Sequence, residues 1–260
     1  MKFRTLLLAS AAVMIAAPAF AQDDITAAFY TPAKGKFLSN TSLITSRVKA
    51  DSGADEAVAK SLIALEELTY GVTDNFAVWG TIGNNFNVDE DYNNDHNFGY
   101  ELGAKYTFNY GKILGQVALA YQTRDPRSWY GKGGEGVDYS TNRWEKVLNG
   151  EVKLGYVLDC GLTPYTTFEV SDDVTHSAKD KNYSWFVGAH KMLDRVSVDA
   201  GVHYDFNSDQ FEEWFAKGEV NYFVKDNMTV GVFGDYYLGG TARKDIDYGY
   251  DLGLNLKVAF

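Results

Sequence analysis

Charged side chains recur at alternate positions along many segments of the chain, between apolar neighbours. Glu101 and Lys105 share one parity in FGYELGAKYTF, and Glu151 and Lys153 share one in EVKLGY. Because successive side chains of a β-strand point to opposite faces, this pattern predicts strands with one charged and one apolar face. An isolated buried charge is very costly, so charges on such a face must be paired or hydrated. The charged face is predicted to carry Glu67, Glu101, Lys105, Lys112, Glu145, Glu151, Lys153, Glu169, Asp199, Asp205, Lys217, Glu219, Asp235, Asp251 and Lys257.

Two groups of residues on this face have the types that hydrolytic chemistry needs. His190 and Ser197 flank a predicted turn on the same parity, and Asp199 follows two residues later. A serine, a histidine and a carboxylate within reach of one another could perform nucleophilic catalysis. The alternative is chance proximity on a polar face. His203 and Asp205 form a second histidine–carboxylate pair. No zinc motif, phosphate-binding glycine loop or nucleophile elbow is present, so no cofactor or metal is expected.

The elements that must position these residues are about twelve predicted strands. Their connections alternate between short turns rich in Asp, Asn and Gly, such as Lys225-Asp226-Asn227, and longer loops, such as Arg124 to Asn142. The predicted strands are Lys36–Ser46, Ala57–Val72, Phe76–Phe86, Phe98–Phe108, Ile113–Gln122, Trp144–Tyr156, Leu162–Val170, Tyr183–Lys191, Val196–Phe206, Glu212–Val224, Met228–Leu238 and Tyr248–Phe260.

The last segment, DYGYDLGLNLKVAF, alternates most regularly and ends on an aromatic residue. It is longer than a usual soluble strand and long enough to cross a bilayer at a tilt. In this it resembles the bacterial outer-membrane β-barrel family, in which the terminal strand is the signal read by the barrel-assembly machinery. The resemblance implies that role for Tyr250, Leu252, Leu254, Leu256, Val258 and Phe260.

The amino terminus predicts export. Lys2 and Arg4 precede an apolar run that ends at Ala19-Phe20-Ala21, so residues 1–21 are predicted to be a cleaved signal peptide. Residues 22–35 are a polar leader expected in the periplasm, and residues 36–260 are the barrel. Without Lys2 and Arg4 the chain has 22 basic and 35 acidic residues, which argues against a nucleic-acid partner. Cys160 is the single cysteine, so no intrachain disulfide can form.

The predicted architecture is therefore an all-β, transmembrane, antiparallel up-and-down barrel in a Gram-negative outer membrane. An even strand number, with short turns on the side of the termini, places both termini in the periplasm. One residue fits badly: Glu66 falls on the lipid-facing side, which suggests a bulge or a shifted register. A soluble eight-strand barrel is the alternative architecture.

Three functions are compatible with this barrel. The first is a monomeric, porin-like channel for passive diffusion of small hydrophilic solutes, mildly cation-selective because its lumen is rich in carboxylates. The second is a plugged structural or adhesin-like barrel whose lumen is filled by salt bridges. The third is a barrel hydrolase, and an omptin-like protease would need acidic and histidine pairs opposed at the outer rim. Outer-membrane lipids, lipopolysaccharide and the assembly machinery are the expected partners.

Overall fold

The protein is a closed antiparallel barrel of twelve strands, each hydrogen-bonded to its neighbours in the sequence. The computed structural model describes residues 24–50, 58–87, 98–124, 145–174, 181–207, 212–240 and 246–260. Within these residues no α-helix is long and apolar enough to cross a membrane. The strands are β1 (Phe37–Ala50), β2 (Val58–Gly71), β3 (Phe76–Asn87), β4 (Phe98–Tyr110), β5 (Ile113–Arg124), β6 (Glu145–Tyr156), β7 (Leu162–Asp173), β8 (Lys181–Leu193), β9 (Val196–Asn207), β10 (Glu212–Lys225), β11 (Met228–Gly240) and β12 (Ile246–Ala259).

The barrel closes where the first strand pairs with the last. β1 and β12 are in register from Leu38 opposite Ala259 onward. At the end of this seam the amide nitrogen of Phe37 donates to the carbonyl of Phe260 over 2.8 Å, and the Phe260 amide donates back over 3.0 Å. Closure leaves no strand edge unpaired, which lipid requires because it offers no hydrogen-bond partner. The predicted all-β, antiparallel, twelve-strand barrel is thus confirmed, and each predicted strand overlaps one observed strand.

Short turns join the strands at one end of the barrel, which we call the turn end. Backbone positions with positive φ occur there at Gly111, Gly161 and Asp194, in the turns after β4, β6 and β8. Glycine and aspartate tolerate this left-handed conformation. The connections at the opposite end, which we call the loop end, lie outside the described residues. Most of the predicted loop Arg124 to Asn142 lies outside the described residues, as does the predicted signal peptide; Arg124 itself ends β5.

The outward face of the barrel is apolar over most of its circumference. Large apolar side chains such as Leu102, Leu154, Val187 and Leu254 are roughly half exposed, as lipid-facing residues are in the absence of lipid. Aromatic side chains lie near both ends, where an interface is apolar on one side and wet on the other. At the turn end these include Phe37 stacked on Phe260, and at the loop end Tyr204 stacked on Trp214.

Glu66 lies on the outward face without any irregularity in its strand. β2 pairs continuously with both β1 and β3, so the bulge suspected from the sequence is absent here. Glu66 shares its parity with the exposed Leu62 and Leu68. Its carboxylate instead accepts hydrogen bonds from Ser39 Oγ (2.7 Å) and Thr41 Oγ1 (2.5 Å) on β1. Local hydroxyl donors, rather than a change of register, accommodate this charge.

Candidate functional site: the lumen and the leader across it

The candidate site is the lumen, and the leader crosses it. Residues 24–35, the described part of the predicted periplasmic leader, fold back inside the turn-end half of the barrel before entering β1. Ile25, Ala27 and Phe29 are all less than a tenth exposed. Ile25 packs in a small core with Leu38 and Phe223, against Met192 and Ala259. The leader is therefore part of the packed interior and not a free tail.

One end of the leader is fixed to β8 and β9. Asp24 Oδ2 lies 2.8 Å from Nε2 of His190, whose Nδ1 is 3.5 Å from Asp199 Oδ2. The Thr26 hydroxyl lies 2.7 Å from Ser197 Oγ and 2.5 Å from Asp24 Oδ1. Burial of Asp24 opposes its ionisation. The hydrogen bonds from His190 and Thr26 outweigh that effect, so the pKa of Asp24 lies below its ordinary value of 3.8.

The middle of the leader is held by two lysines of the barrel wall, one on β6 and one on β4. Lys153 Nζ of β6 donates to the carbonyl of Ala28 over 3.2 Å, and Lys105 Nζ of β4 donates to that of Tyr30 over 3.0 Å. The carbonyls of an irregular segment need such donors when they are buried. The lumen lysines thus act as hydrogen-bond donors to the leader backbone.

Phe29 is the leader's largest buried side chain, and Gly155 of β6 makes room for it. A Cβ atom at Gly155 would lie 2.7 Å from Cε2 of Phe29, which is closer than any real contact. The ring also meets Tyr165 edge-on, with centroids 5.9 Å apart. Since any side chain at Gly155 would displace Phe29, this glycine acts as a notch that receives the leader.

The leader then returns to β1 along the end of β2. Thr31 and Thr107 hydroxyls are 2.7 Å apart, and the Lys34 amide donates to Asp74 Oδ1 over 3.0 Å. The Gly35 amide donates to the carbonyl of Gly71 over 2.8 Å. The leader therefore contacts β8 and β9 first, then β6 and β4, and finally the end of β2.

The leader lies between two cavities. On the turn-end side is a vestibule of about 800 Å³, lined by Ile25, Phe29 and Tyr30 of the leader. On the other side is a chamber of about 600 Å³, which Thr26, Ala27 and Ala28 of the leader help to line. A side cavity of about 240 Å³ lies against β2 to β7. Consecutive leader residues, Thr26 to Ala28, thus face the chamber, whereas Phe29 to Thr31 face the vestibule.

Most of the residues predicted on the charged face line these cavities. Asp205 lies beside the chamber-lining Ser184 and His203. Lys112 sits in the turn after β4, with its amine beside Asp159, and so lies at the rim. The side chain of Glu145 is outside the described residues. The chamber is lined by Glu151, Lys153, Glu169, Asp199, Lys217, Glu219, Asp235, Asp251 and Lys257, and the side cavity by Glu67, Glu101, Lys105, Glu151, Lys153 and Glu169.

The residues predicted to form the assembly signal lie on the outer surface of β12. Leu252 and Leu254 are exposed to the membrane side, and Phe260 ends the seam with β1. The parity predicted for this segment is therefore observed. It places the set Tyr250, Leu252, Leu254, Leu256, Val258 and Phe260 on one outward face.

Neither histidine group has the geometry of a hydrolytic site. His190 uses Nε2 to contact Asp24 of the leader, and Ser197 contacts Thr26 instead of the histidine. At the second group, Ser184 Oγ and Asp205 Oδ1 lie 2.8 and 2.9 Å from the same nitrogen, Nε2 of His203. A catalytic triad uses the two ring nitrogens for different partners. Within the described part of the chain, no group of three or more His, Cys, Asp or Glu side chains could hold a metal ion.

The leader's position in the lumen is the main feature that sequence reasoning missed. The available signal was the alternation of Ile25, Ala27 and Phe29 in a segment otherwise read as polar. Gly155 was a second signal, because a glycine on the inner face of a strand leaves room for a side chain from another segment, here the ring of Phe29.

Comparison with known proteins supports the fold. No model of a known protein family matches the sequence, and no curated protein sequence matches it either. Among solved structures, the barrel is similar to the COG4313 outer membrane channel from Pseudomonas putida F1. The TM-score is 0.64 at 11% identity, over 91% of this chain and 100% of that one. It is also similar to the NanC porin, with a TM-score of 0.56 at 7% identity, over 84% of this chain and 98% of that one. The predicted resemblance to bacterial outer-membrane β-barrels, and with it the outer-membrane location, is confirmed by this shared fold.

Proposed function

We propose that the protein is a monomeric outer-membrane channel for passive diffusion of small hydrophilic solutes, mildly selective for cations. The observation that carries this proposal is the chamber inside the barrel, lined by six carboxylates and three lysines. Counting these carboxylates and lysines, the lining has a formal charge of −3, and an acidic pore lining favours cations. The channel fold of the similar structures is consistent with it.

In this proposal both termini and the turn end face the periplasm, and the loop end faces the cell exterior. A solute entering from outside reaches the chamber first and the leader second. The leader is an obstacle on this path, because it lies between the chamber and the vestibule. We therefore expect a small conductance limited by the leader.

The outward face of β12 suits the proposed assembly signal, because the assembly machinery must read a surface that is accessible before the barrel closes. Tyr250, Leu252, Leu254, Leu256, Val258 and Phe260 provide such a surface. Lipid and lipopolysaccharide are the proposed neighbours of the apolar exterior.

The leader also supports a second candidate, a plugged barrel with a structural or surface-interaction role. Its buried side chains and hydrogen bonds to β4, β6, β8 and β9 resist displacement. If the leader never leaves, the lumen conducts little and the external loops become the functional surface. We do not propose a hydrolase, because the histidine groups lack a catalytic arrangement.

The deciding experiment is the current across a planar bilayer holding the mature protein, recorded under a KCl gradient. Discrete steps with a reversal potential that favours K⁺ would support the channel. Replacing Glu169 by Gln should then shift the reversal potential toward zero, because a chamber carboxylate is lost. Replacing the lipid-facing Glu66 by Gln should leave it unchanged. A folded protein that stays silent would overturn the channel proposal, and conduction that appears only when the leader is released by Gly155→Val would support the plugged barrel instead.

A further inference from the structure

The chamber has two unlike walls. Ile44, Ile63 and Leu65 of β1 and β2 form an apolar patch on its inner surface. In a barrel of twelve strands, β7 and β8 lie on the opposite side. Tyr165, Glu169 and the neighbouring chamber-lining residues of those strands therefore face this patch across the cavity. Such an apolar patch is of no use for a path that serves only hydrated ions, because ions gain nothing from apolar surface.

The chamber carboxylates stand in like-charged pairs. Each is directly opposite another on the neighbouring strand: Glu151 with Glu169, Asp199 with Glu219, and Asp235 with Asp251. Like charges directly opposite each other on one face of a sheet are destabilising. Three such pairs in one cavity indicate an arrangement that a bound cation would stabilise.

Each pair has one lysine in contact with it. Lys153 lies 3.5 Å from Glu151, Lys257 lies 2.6 Å from Glu219, and Lys217 lies 3.4 Å from Asp235. Counting only the carboxylates and these lysines, each pair has a formal charge of −1. The negative charge is thus distributed around the chamber.

Aromatic rings complete the lining. Tyr165 and Phe186 lie with their ring centroids 5.3 Å apart on the side opposite the apolar patch, and Phe233 projects from β11. Aromatic faces attract organic cations and also bury apolar groups. At about 600 Å³, the chamber has the size of a site for a small organic molecule.

We infer that the chamber binds an organic cation with an apolar body, of the alkylammonium or arylammonium class. The ammonium group lies at the carboxylate pairs, and the apolar body covers Ile44, Ile63 and Leu65. A simple inorganic cation would use only the charge, a neutral sugar would use neither the charge nor the apolar patch, and an anion would be repelled. This inference rests on the proposed channel function, since it names the solute class for which the lumen is built.

Calorimetric titration of the mature, folded barrel in detergent tests the inference without any need for conduction. The probes are phenethylammonium, ammonium, and the neutral phenethyl alcohol. We expect phenethylammonium to bind at least about tenfold more tightly than either of the others, because only it uses both walls. Equal affinity for the charged and neutral aromatic probes, or for phenethylammonium and ammonium, would overturn the inference.

Two variants and two matched controls assign the binding to the chamber. Glu169→Gln should weaken phenethylammonium binding about tenfold, and Ile63→Thr should weaken it several-fold while leaving ammonium binding unchanged. The controls are Glu66→Gln and Ile82→Thr, which alter outward-facing residues of β2 and β3 and should not change binding. If the chamber variants behave like the controls, the ligand binds elsewhere and the inference fails.

Bilayer recordings separate this inference from the proposed function. A protein that conducts K⁺ but shows no preference for phenethylammonium in calorimetry is a channel without this site, so the inference alone falls. A protein that binds phenethylammonium in the chamber but conducts no ion retains the site, and only the channel proposal falls. If both hold, phenethylammonium on the loop-end side should block the K⁺ current in a concentration-dependent way, and Glu169→Gln should weaken the block.

Discussion

The β1–β2 hairpin and the strands across the barrel from it, β6 to β9, differ in where some of their polar side chains lie. On β6 to β9 the outward face is apolar, with Val152 and Val187 exposed, and the inward face carries charges such as Lys153. On β1 and β2 part of the inward face is apolar, at Ile44, Ile63 and Leu65, although Glu67 also lies inward. The outward face of the hairpin carries the Ser39, Thr41 and Glu66 cluster.

This difference shows what alternation along a strand does and does not determine. Period-two alternation determines which residues share a face, but it does not determine which face is exposed to water. On β6 to β9 the leader needs polar partners, so the inner face is polar. At Ile44, Ile63 and Leu65 the inner face of the hairpin borders the chamber and makes none of the leader contacts described above. Apolar side chains are therefore tolerated there. We expect the two regions to respond differently to the same substitution.

The largest effect should come from placing the hairpin's outward carboxylate on β6. Val152 lies four residues before the exposed Tyr156, as Glu66 lies four residues before the exposed Tyr70, so the two sites have matched depths. Val152 is opposite Val117 and Phe168, which offer no donor. Val152→Glu should therefore lower the free energy of unfolding in lipid vesicles by about 2 kcal/mol, measured by urea titration.

The reciprocal change, Glu66→Val, should alter the same free energy by less than about 1 kcal/mol. It removes a charge from lipid but leaves the Ser39 and Thr41 hydroxyls without their acceptor, and these effects oppose each other. If both substitutions destabilise equally, the two outward faces are equivalent and the comparison fails.

The next largest effect should come from closing the notch on the inner face of β6. Gly155→Val places a side chain where Phe29 now packs. By contrast, a Cβ atom added at Gly150 on the same strand would meet nothing within 4 Å. Overpacking of this kind costs about 1–3 kcal/mol, so the leader should leave its site in the first variant and stay in Gly150→Val.

Thiol labelling can detect this release. The buried Ala27 is replaced by Cys in a Cys160→Ser background, because Cys160 is exposed and would react first. We expect Gly155→Val to raise the labelling rate of this thiol about tenfold or more, and Gly150→Val to leave it unchanged. Equal rates in the two variants would mean that Phe29 is not what holds the leader.

A smaller effect should follow from acidification, through the contact between Asp24 and His190. The pKa of Asp24 is lowered below 3.8 in the docked leader by the hydrogen bonds from His190 and Thr26, despite opposing burial. A released leader binds a proton more readily, so docking is fully stabilised above pH 3.8 and weakens as the pH falls through the docked-state pKa. Labelling of the Ala27→Cys thiol with an acid-tolerant reagent should therefore increase below that pH.

Asp24→Asn supplies the control for this pH dependence. It should raise labelling several-fold at neutral pH, because a charge-assisted hydrogen bond is lost, and it should remove the increase in acid. Whether the barrel stays folded can be followed in parallel by comparing its gel mobility in unheated and heated samples. An acid-induced increase that persists in Asp24→Asn would assign the effect to another group.

The sequence predicted the barrel well because the constraints that produce it are local. Alternation along β4, β6 or β12, Asp and Gly at tight turns, and the terminal Phe260 each depend on a few neighbouring residues. The inside of the barrel depends on partners far apart in the chain. The contact between Thr26 and Ser197 joins residues 171 positions apart, and nothing in the leader identifies Ser197 as its partner. For the same reason the parity of Glu66 was predictable, but its donors Ser39 and Thr41 were not, since they depend on the register between β1 and β2.

The smallest effect should come from the hairpin hydroxyls themselves. Ser39→Ala and Thr41→Ala each remove one donor to Glu66 and should cost about 1 kcal/mol in lipid, because a lipid-facing carboxylate loses a hydrogen bond. Thr45→Ala, on the same outward face of β1 but opposite Leu62, should cost less than about 0.5 kcal/mol. In a Glu66→Val background the Ser39 and Thr41 substitutions should become nearly neutral, because there is no carboxylate left to satisfy. Undiminished costs in that background would show that the hydroxyls stabilise β1 independently of Glu66, and that the outward carboxylate is accommodated by something other than these donors.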